Sequence, residues 1–224
     1  MYFSETGGKR KLLPLACTIA IGSALFYSPA PAKAGPAFRF ISPPMPTGLS
    51  LANPPFTLGW SFTLSKSYIV DALGLFDSGG DGFVDSHDIG LWDSTGNLLV
   101  SVTGVTGDIH PFVGGFRYVS LSSGLSLAPG EYYVGATYLS GSDPNVFPGE
   151  VTTIAPLAGV AFGANRFASG SSLIFPAPTI SNEFAYFGPN LNLEVPGPLP
   201  IFGAAAAFGF SRKLRKRIKS SAFN

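Results

Sequence analysis

The sequence predicts an all-β protein, an antiparallel β-sandwich of jelly-roll type, from three observations. Hydrophobic residues make up 46% of the chain and charged residues only 12%, a balance that favours apolar sheet faces over salt-bridged helices. The 224 residues include 28 glycines and 20 prolines, which are too many for long helices. Short segments of alternating polarity recur between clusters of turn-forming residues. Short strands joined by tight turns are therefore expected, with a core between two sheets.

Strand candidates follow one another from residue 56 onward. In the first, Trp60, Phe62 and Leu64 share one face, as the two-residue period of a strand requires. The segment 89–104 predicts a strand, a "DSTGN" turn and a second strand. The segment 114–139 predicts the same arrangement around an "APGE" turn. Prolines, glycines and serines interrupt 140–182, where long loops and short strands are expected. The predicted strands are 56–65, 68–76, the two strand–turn–strand segments and a closing strand within 182–195.

Four regions are predicted along the chain. Residues 1–34 form a signal peptide with a helical apolar part, and 35–55 form a Pro-rich extended segment before regular structure begins. Residues 56–194 form the β-sandwich domain. Residues 195–224 form a sorting tail with a motif, a short apolar helix and a basic cluster.

The N-terminus has the three parts of an export signal. "KRK" at 9–11 is followed by an apolar run at 12–26 and by Ala32 and Ala34 in a small-residue cleavage site, so cleavage is expected after Ala34. The sole cysteine, Cys17, lies in the apolar run. The exported chain is thus expected to contain neither disulfides nor thiolate metal sites.

The C-terminus also has three parts. No charged residue occurs in 195–211, a length that as a helix just falls short of a bilayer core. A basic cluster follows, which would hold that end on the cytoplasmic side of the membrane. The motif residues are Val195, Pro196, Gly197, Pro198, Leu199 and Pro200, and the basic residues are Arg212, Lys213, Arg215, Lys216, Arg217 and Lys219.

This tail resembles the PEP-CTERM sorting signal of exported bacterial proteins, in the variant form common in cyanobacterial members. The commonest form has Glu between the first two prolines, where this chain has Gly197. The resemblance implies export, transient retention in the membrane, and processing by a signal peptidase and an exosortase-type enzyme. It also implies delivery to the cell surface or the extracellular matrix. A permanent membrane anchor is the alternative reading of the same tail.

Charge is segregated between the ends and the body of the chain. Residues 35–195 contain four basic and twelve acidic residues, a net charge of −8, although the whole chain carries only +1. An acidic body argues against nucleic-acid binding and is compatible with cation binding.

The segment "FDSGGDGFVDSHD" at 76–88 is a candidate calcium site. With Asp77 as position 1, the spacing of Asp81, Asp85 and Asp88 matches an EF-hand loop in part, although Gly79 occupies position 3 and Asp replaces Glu at position 12. The flanks predict strands rather than helices. A glycine-rich turn whose aspartates cap backbone amides is therefore the competing interpretation.

No nucleophile, zinc or nucleotide motif supports catalysis, and His87 and His110 are the histidines of the chain. We therefore expect a non-catalytic structural or binding protein. A calcium-dependent carbohydrate-binding module is one alternative, and would need Trp60 or Trp92 exposed beside the aspartate loop. A polysaccharide hydrolase is another, and would need two carboxylates in a cleft, drawn from Glu131, Glu150 or Glu183 and a neighbour.

The body also resembles a family of exported bacterial β-sandwich domains of unknown function. The resemblance lies in "ALGLFDSGGDGFVDSHDIGLWDSTGNLL", "FRYVSL" and "LAPGEYYVGA". It implies a fold and a location, and no activity.

Overall fold

A computed structural model describes residues 32–44, 46–51, 54–147, 150, 153–178 and 187–197. All of these fall within one compact unit that covers residues 29–199. The predicted signal helix, the apolar C-terminal helix and the basic cluster lie outside the described residues. Within the described ranges no helix is present, and therefore none that is long and apolar enough to cross a membrane.

Twelve strands make up the described part of the chain. They are β1 (Ala32–Pro36), β2 (Phe38–Ser42), β3 (Phe56–Leu64), β4 (Tyr68–Phe76), β5 (Phe83–Asp93), β6 (Leu98–Gly107), β7 (Phe112–Val113), β8 (Phe116–Leu127), β9 (Gly130–Tyr138), β10 (Thr153–Pro156), β11 (Val160–Ser169) and β12 (Pro189–Val195). The prediction of an all-β protein is confirmed.

The strands form two five-stranded sheets and one two-stranded sheet. One large sheet has the order β1-β12-β4-β8-β7 and the other has the order β11-β3-β9-β5-β6, while β10 pairs with β2. Every pairing among these strands is antiparallel. Sequence neighbours often lie in different sheets, so the chain crosses repeatedly between them.

Both large sheets contribute to one hydrophobic core. Trp60 of β3 is 1% exposed and its Nε1–H donates to the carbonyl oxygen of Pro189 in β12 at 2.8 Å, a hydrogen bond from one large sheet to the other. The ring of Phe38 in β2 packs against Trp60 and against Phe116 of β8, with centroids 5.2 and 5.5 Å apart. The buried aromatic rings thus tie β2 to both sheets.

The strand predictions were most accurate where polarity alternates. β3 and β4 occupy the predicted segments, and the "DSTGN" turn joins β5 to β6. The expectation that regular structure begins after residue 55 is wrong, because β1 and β2 precede that point. Phe38 and Phe40 of β2 alternate into the core, and this apolar burial outweighs the nearby prolines. β5 also begins at Phe83, so half of the aspartate-rich segment is strand rather than loop.

Candidate functional site

A cleft of about 200 Å³ lies where the β4–β5 loop meets the segment after β9. It is lined by residues 76–78, 81–84 and 142–144, which include the carboxyl groups of Asp77, Asp81 and Asp143. Loops held by a rigid sheet are the usual place for binding residues. The aspartate-rich segment singled out in the sequence therefore forms one wall of a cleft in the described part of the chain.

Asp77 is held by a buried ion pair on one side of the cleft. Its carboxylate accepts a hydrogen bond from Arg117 Nε at 2.5 Å, and both side chains are at most 6% exposed. The other nitrogens of Arg117 donate to backbone carbonyl oxygens of Gly80, Asp108 and His110, at 2.8, 2.8 and 3.0 Å. One guanidinium group on β8 thus fixes the β4–β5 loop against the β6–β7 connection.

Glycines allow the β4–β5 loop to turn around the Asp77 carboxylate. Gly79, Gly80 and Gly82 have φ values of 84°, 76° and 99°, where residues with a Cβ atom are strained. The Gly82 N–H donates to Asp77 Oδ2 at 3.1 Å. A Cβ on Gly82 would lie 2.9 Å from the carbonyl carbon of Gly107, so the backbone itself occupies the space. The geometry of the loop therefore requires glycine at these positions whether or not a ligand binds.

A second buried pair holds the other side of the cleft. His87, which is fully buried on β5, has Nε2 at 2.9 Å from Asp143 Oδ2 and Nδ1 at 2.6 Å from the carbonyl oxygen of Thr137. Asp143 also accepts the backbone N–H groups of Val84 and Asp85, at 2.9 and 2.8 Å. Because both ring nitrogens of His87 face acceptors, the imidazolium form satisfies both contacts.

The environment of Asp143 favours its ionised form. Burial of this carboxyl raises its pKa, but the hydrogen bonds from His87, Val84 and Asp85 outweigh burial, and the net pKa lies below the ordinary value. Tyr138 packs its ring against His87, with centroids 5.3 Å apart. Burial, followed by the nearby Asp143 charge, raises the pKa of the Tyr138 hydroxyl, which therefore stays neutral. The Asp143 carboxylate is thus held by the His87 ring and by two backbone N–H groups of β5.

The four predicted calcium ligands do not converge. Asp77 is committed to Arg117, and Asp88 accepts the Gly104 N–H at 2.9 Å. Asp85 accepts a hydrogen bond from the Ser140 hydroxyl, and Asp81 is exposed on the loop. Within the described ranges no three His, Cys, Asp or Glu side chains are close enough to hold a metal together. Asp85 and Asp88, positions 9 and 12 of the EF-hand spacing, lie on the extended strand β5, whereas an EF-hand holds these positions in a loop.

The two tryptophans are buried away from the cleft. Trp60 is in the core, and Trp92 is 3% exposed because residues 170–178 cross the outer side of its sheet. Phe175 in that segment packs on Trp92 and on Tyr133, at centroid distances of 6.2 and 5.0 Å. The described tryptophans therefore offer no exposed aromatic surface beside the aspartate loop.

The candidate acids of a hydrolase are also dispersed. Glu131 is exposed at the start of β9, where it accepts a hydrogen bond from the Tyr133 hydroxyl at 3.2 Å. Glu150 accepts the Phe147 N–H at 2.7 Å, and Glu183 lies outside the described residues. His110 contributes its carbonyl oxygen to Arg117. None of these described groups lines the cleft.

Sequence reasoning missed the two residues that organise the cleft, Arg117 and Asp143. Arg117 is 40 residues from Asp77, and Asp143 is 56 residues from His87. A usable signal was present for Arg117, because it is one of only four basic residues within 35–195 and no other residue of its strand is charged. A lone charge in such a strand is expected to be paired when it is buried.

The fold and the cleft define an all-β antiparallel domain whose loops at one end are fixed by the buried Asp77–Arg117 ion pair and by the buried His87–Asp143 hydrogen bond. A family model described as "Domain of unknown function (DUF4082)" matches residues 45–187, and the chain belongs to this family. The match includes part of the predicted Pro-rich segment and both sides of the cleft. No curated protein and no solved structure matches the chain.

Proposed function

We propose that this protein is exported and sorted to the cell surface, where its β-domain has a non-catalytic binding or structural role in the envelope or the extracellular matrix. The observation that carries the proposal is the use of the charged residues at the cleft. These side chains make hydrogen bonds and ion pairs with backbone groups and with one another, and they are Asp77, Arg117, His87 and Asp143. Such contacts suit a rigid presenting scaffold better than a group that transfers protons or attacks a substrate.

We further propose that the two large sheets form a jelly-roll sandwich. When β7 and β11 are left out as added edge strands, the orders β1-β12-β4-β8 and β3-β9-β5-β6 are those of the two sheets of a jelly roll. The shared core between the sheets supports the same interpretation. The predicted cleavage after Ala34 would cut within β1, so the exported form would keep only part of that strand.

Export and sorting rest on the two ends of the sequence. Val195, the first residue of the sorting motif, is also the last residue of β12. The motif would therefore begin directly where the described domain ends, and a sorting enzyme would cut beyond the last strand. Signal peptidase and an exosortase-type enzyme are the partners that this proposal requires, with transient membrane contact through the tail.

The two alternatives receive less support from the geometry. A calcium-dependent carbohydrate-binding module calls for an exposed tryptophan at the aspartate loop, whereas Trp60 and Trp92 are buried. A hydrolase acting on extracellular polysaccharide calls for paired acids in a cleft, whereas Glu131 and Glu150 lie outside it. Calcium at the loop is the cofactor to test, through Asp81, which is exposed and lines the cleft.

The test of localisation uses the full chain expressed in a bacterium that contains an exosortase. Cells are separated into cytoplasm, membrane and exterior, and the domain is detected with an antibody. The proposal expects the wild-type domain at the surface or outside the cell, shortened at both ends. A variant lacking residues 195–224 should be exported but not retained at the membrane, and a variant lacking 1–34 should stay in the cytoplasm. Full-length protein that remains in the cytoplasm would overturn the proposal.

A second measurement addresses the alternatives. Thermal unfolding of the full chain is followed with excess calcium and with chelator, for the wild type and for Asp81→Asn. A hundredfold excess over the dissociation constant would add about 2.7 kcal/mol of stability if calcium binds the folded state. Coincident curves favour the non-catalytic scaffold without calcium. A calcium-dependent gain that Asp81→Asn abolishes would favour the calcium-dependent module, and release of reducing sugar from a polysaccharide would favour the hydrolase.

A further inference from the structure

The first and the last described strands lie side by side in one sheet. β1 is the edge strand of that sheet and pairs antiparallel with β12. In this pairing Ala32 lies opposite Val195, and Lys33 lies opposite Glu194. β12 also pairs with β4, but that ladder ends at Glu194. Among the described strands, only β1 therefore pairs with Val195.

The pairing of β1 with β12 brings together the two predicted processing sites of the chain. Val195 is the first residue of the sorting motif, and the predicted signal cleavage lies between Ala34 and Gly35. That cut would divide β1. The part opposite Glu194 and Val195 would leave with the signal peptide, and the part that begins at Gly35 would stay with the domain.

The predicted cleavage bond lies at an irregular point of β1. The register shifts between Lys33 and Gly35, so Ala34 has no partner among the described residues of β12. Gly35 has a φ value of 117°, which favours glycine. A β-bulge leaves its extra residue unpaired and interrupts the ladder of hydrogen bonds. The bond between Ala34 and Gly35 is thus less protected than the paired residues on either side of it.

The chain is firmly anchored only beyond this bulge. The Ala37 N–H donates to the carbonyl oxygen of Leu191 at 2.8 Å, and Ala37 and Phe38 are buried in the core. After the cut, residues 32–34 would be held to β12 by two residue pairs without a covalent link. So few contacts do not offset the translational freedom that a separate peptide loses on binding. The cut should therefore release the first part of β1.

We propose, on the basis of the proposed export and sorting, that residues 32–34 mask the start of the sorting motif in the uncut chain, and that the cut after Ala34 exposes it. This cut is a hydrolysis. Water adds across the Ala34–Gly35 bond and leaves a carboxylate on Ala34 and an ammonium group on Gly35. The N-terminal cut therefore comes first and permits the cut in the tail.

Masking acts through the main chain of Val195. Extended peptides are commonly bound through main-chain hydrogen bonds, in the manner of an added strand. The main-chain groups of β12 that pair with β1 are not free to make such bonds with a sorting enzyme. The Val195 side chain packs against the core, which holds this residue in place before and after the cut. The cut changes the access to its main chain, so the tail should be cut faster once the first part of β1 has left.

The first test follows both cuts in the full chain, expressed in a bacterium that contains an exosortase. Ala32→Leu with Ala34→Leu places bulky residues where signal peptidase requires small ones, whereas leucine leaves the strand able to pair. This variant should be exported with its N-terminus intact and should lose its tail at least about tenfold more slowly than wild type, because the tail is accessible only when β1 opens locally. Pulse labelling and mass spectrometry of the captured chain measure both ends.

A second variant separates the pairing of β1 from the retention of the signal peptide. Ala32→Pro with Lys33→Pro and Ala34→Leu also blocks the first cut. Two consecutive prolines remove main-chain donors on both sides of the strand, so the pairing with β12 is lost. This variant should keep its N-terminus and yet lose its tail within about twofold of the wild-type rate. The control is Ala30→Leu, which precedes β1 in sequence and should be cut at both ends as wild type is.

The second test measures the pairing itself and needs no sorting enzyme. Amide hydrogen exchange at Glu194 and Val195 is compared by NMR between the full chain in detergent solution and its Ala32→Pro, Lys33→Pro variant. The amide that faces β1 should exchange at least about tenfold faster in the variant. Val134, which is paired on both sides in β9, should exchange equally in both chains and reports that the fold persists.

Three results would overturn the proposal. They are a tail that is cut equally fast in the leucine variant, a tail that stays uncut in the proline variant, and exchange that the prolines leave unchanged. A wild-type chain that keeps both ends, with exchange that responds to the prolines, would have a different meaning. The pairing over Val195 would then hold, whereas the proposed export and sorting would be overturned, and with them the order of the cuts.

Discussion

The loop after β4 and the turn after β5 begin in the same way and are stabilised in different ways. Both start with Asp-Ser and end with glycine in the left-handed region, at Gly80 and Gly96. In both, the glycine N–H donates to the carbonyl oxygen of the aspartate three residues earlier, at 3.3 and 3.1 Å. The two turns therefore share the same backbone hydrogen bond.

The carboxylates of the two turns differ in their partners. Asp77 is 2% exposed and meets Arg117 from a distant strand. Asp93 is in contact with solvent and accepts from Thr95 and Asn97 within its own turn, at 2.7 to 3.0 Å. The first turn therefore organises tertiary structure, whereas the second closes only a hairpin. Changes at the first should therefore cost much more stability than changes at the second.

Removing the partner of Asp77 should have the largest effect. In Arg117→Met the carboxylate stays buried without its cation, and three backbone carbonyl oxygens lose a donor. We expect the free energy of unfolding to fall by about 3–5 kcal/mol, measured by urea denaturation at pH 7. The control is Arg39→Met, since Arg39 is exposed on β2 and its loss should be nearly neutral.

A double variant tests whether the unpaired buried charge causes the loss of stability in Arg117→Met. Asp77→Asn with Arg117→Met leaves no charge buried, so it should be more stable than Arg117→Met alone. If the double variant were less stable than Arg117→Met, the Asp77 carboxylate would be stabilised mainly by other contacts, such as the Gly82 N–H, rather than by Arg117. The ion pair would then not be what distinguishes this loop from the Asp93 turn.

The second buried pair should show an intermediate effect with a defined pH dependence. Asp143→Asn replaces an acceptor of three hydrogen bonds by a group with one oxygen, at an expected cost of about 2–3 kcal/mol at pH 7. Because the native pKa of Asp143 is lowered, its contribution is complete above the ordinary value of 3.8 and is lost as the pH falls through the native pKa.

Unfolding measured from pH 7 to pH 2 checks this expectation. The difference in stability between wild type and Asp143→Asn should narrow below about pH 4, where the wild-type carboxyl becomes protonated. Asp108→Asn makes the same chemical change at an exposed carboxyl group and should follow the wild-type curve. A difference that stays constant across the whole range would show that the charge of Asp143 contributes nothing to stability.

The difference between contacts within a turn and contacts between distant strands also explains which features could be predicted from the sequence. β4 was predicted to the residue, since its alternation and its flanking turn residues are local signals. β2 was missed because the prolines around it suggested an extended segment without regular structure, and its burial depends on rings from β3 and β8. Asp77 and Asp81 of the cleft were found by composition. Arg117 and Asp143 were not, since they reach Asp77 and His87 only through the crossing of strands between sheets.

The Asp93 turn should show the smallest effect, which appears in titration rather than in stability. Hydrogen bonds from Asn97 and then Thr95 lower the pKa of Asp93 from its ordinary value of 3.8 to about 2. What stability this exposed turn supplies is therefore present above the unfolded pKa and is lost between about pH 4 and pH 2. Because the donors lie within four residues, the low pKa should survive even in Arg117→Met, for as long as that variant remains folded.

Carbon-detected NMR titration of the Asp93 carboxyl measures this directly. The double variant Thr95→Ala with Asn97→Ala should raise the pKa toward 3.8, and Ser94→Ala, which alters an exposed neighbour, should leave it near 2. A pKa that stayed low in the double variant would mean that a distant group holds Asp93 as Arg117 holds Asp77. The two turns would then be alike in their tertiary role, and the contrast between them would fail.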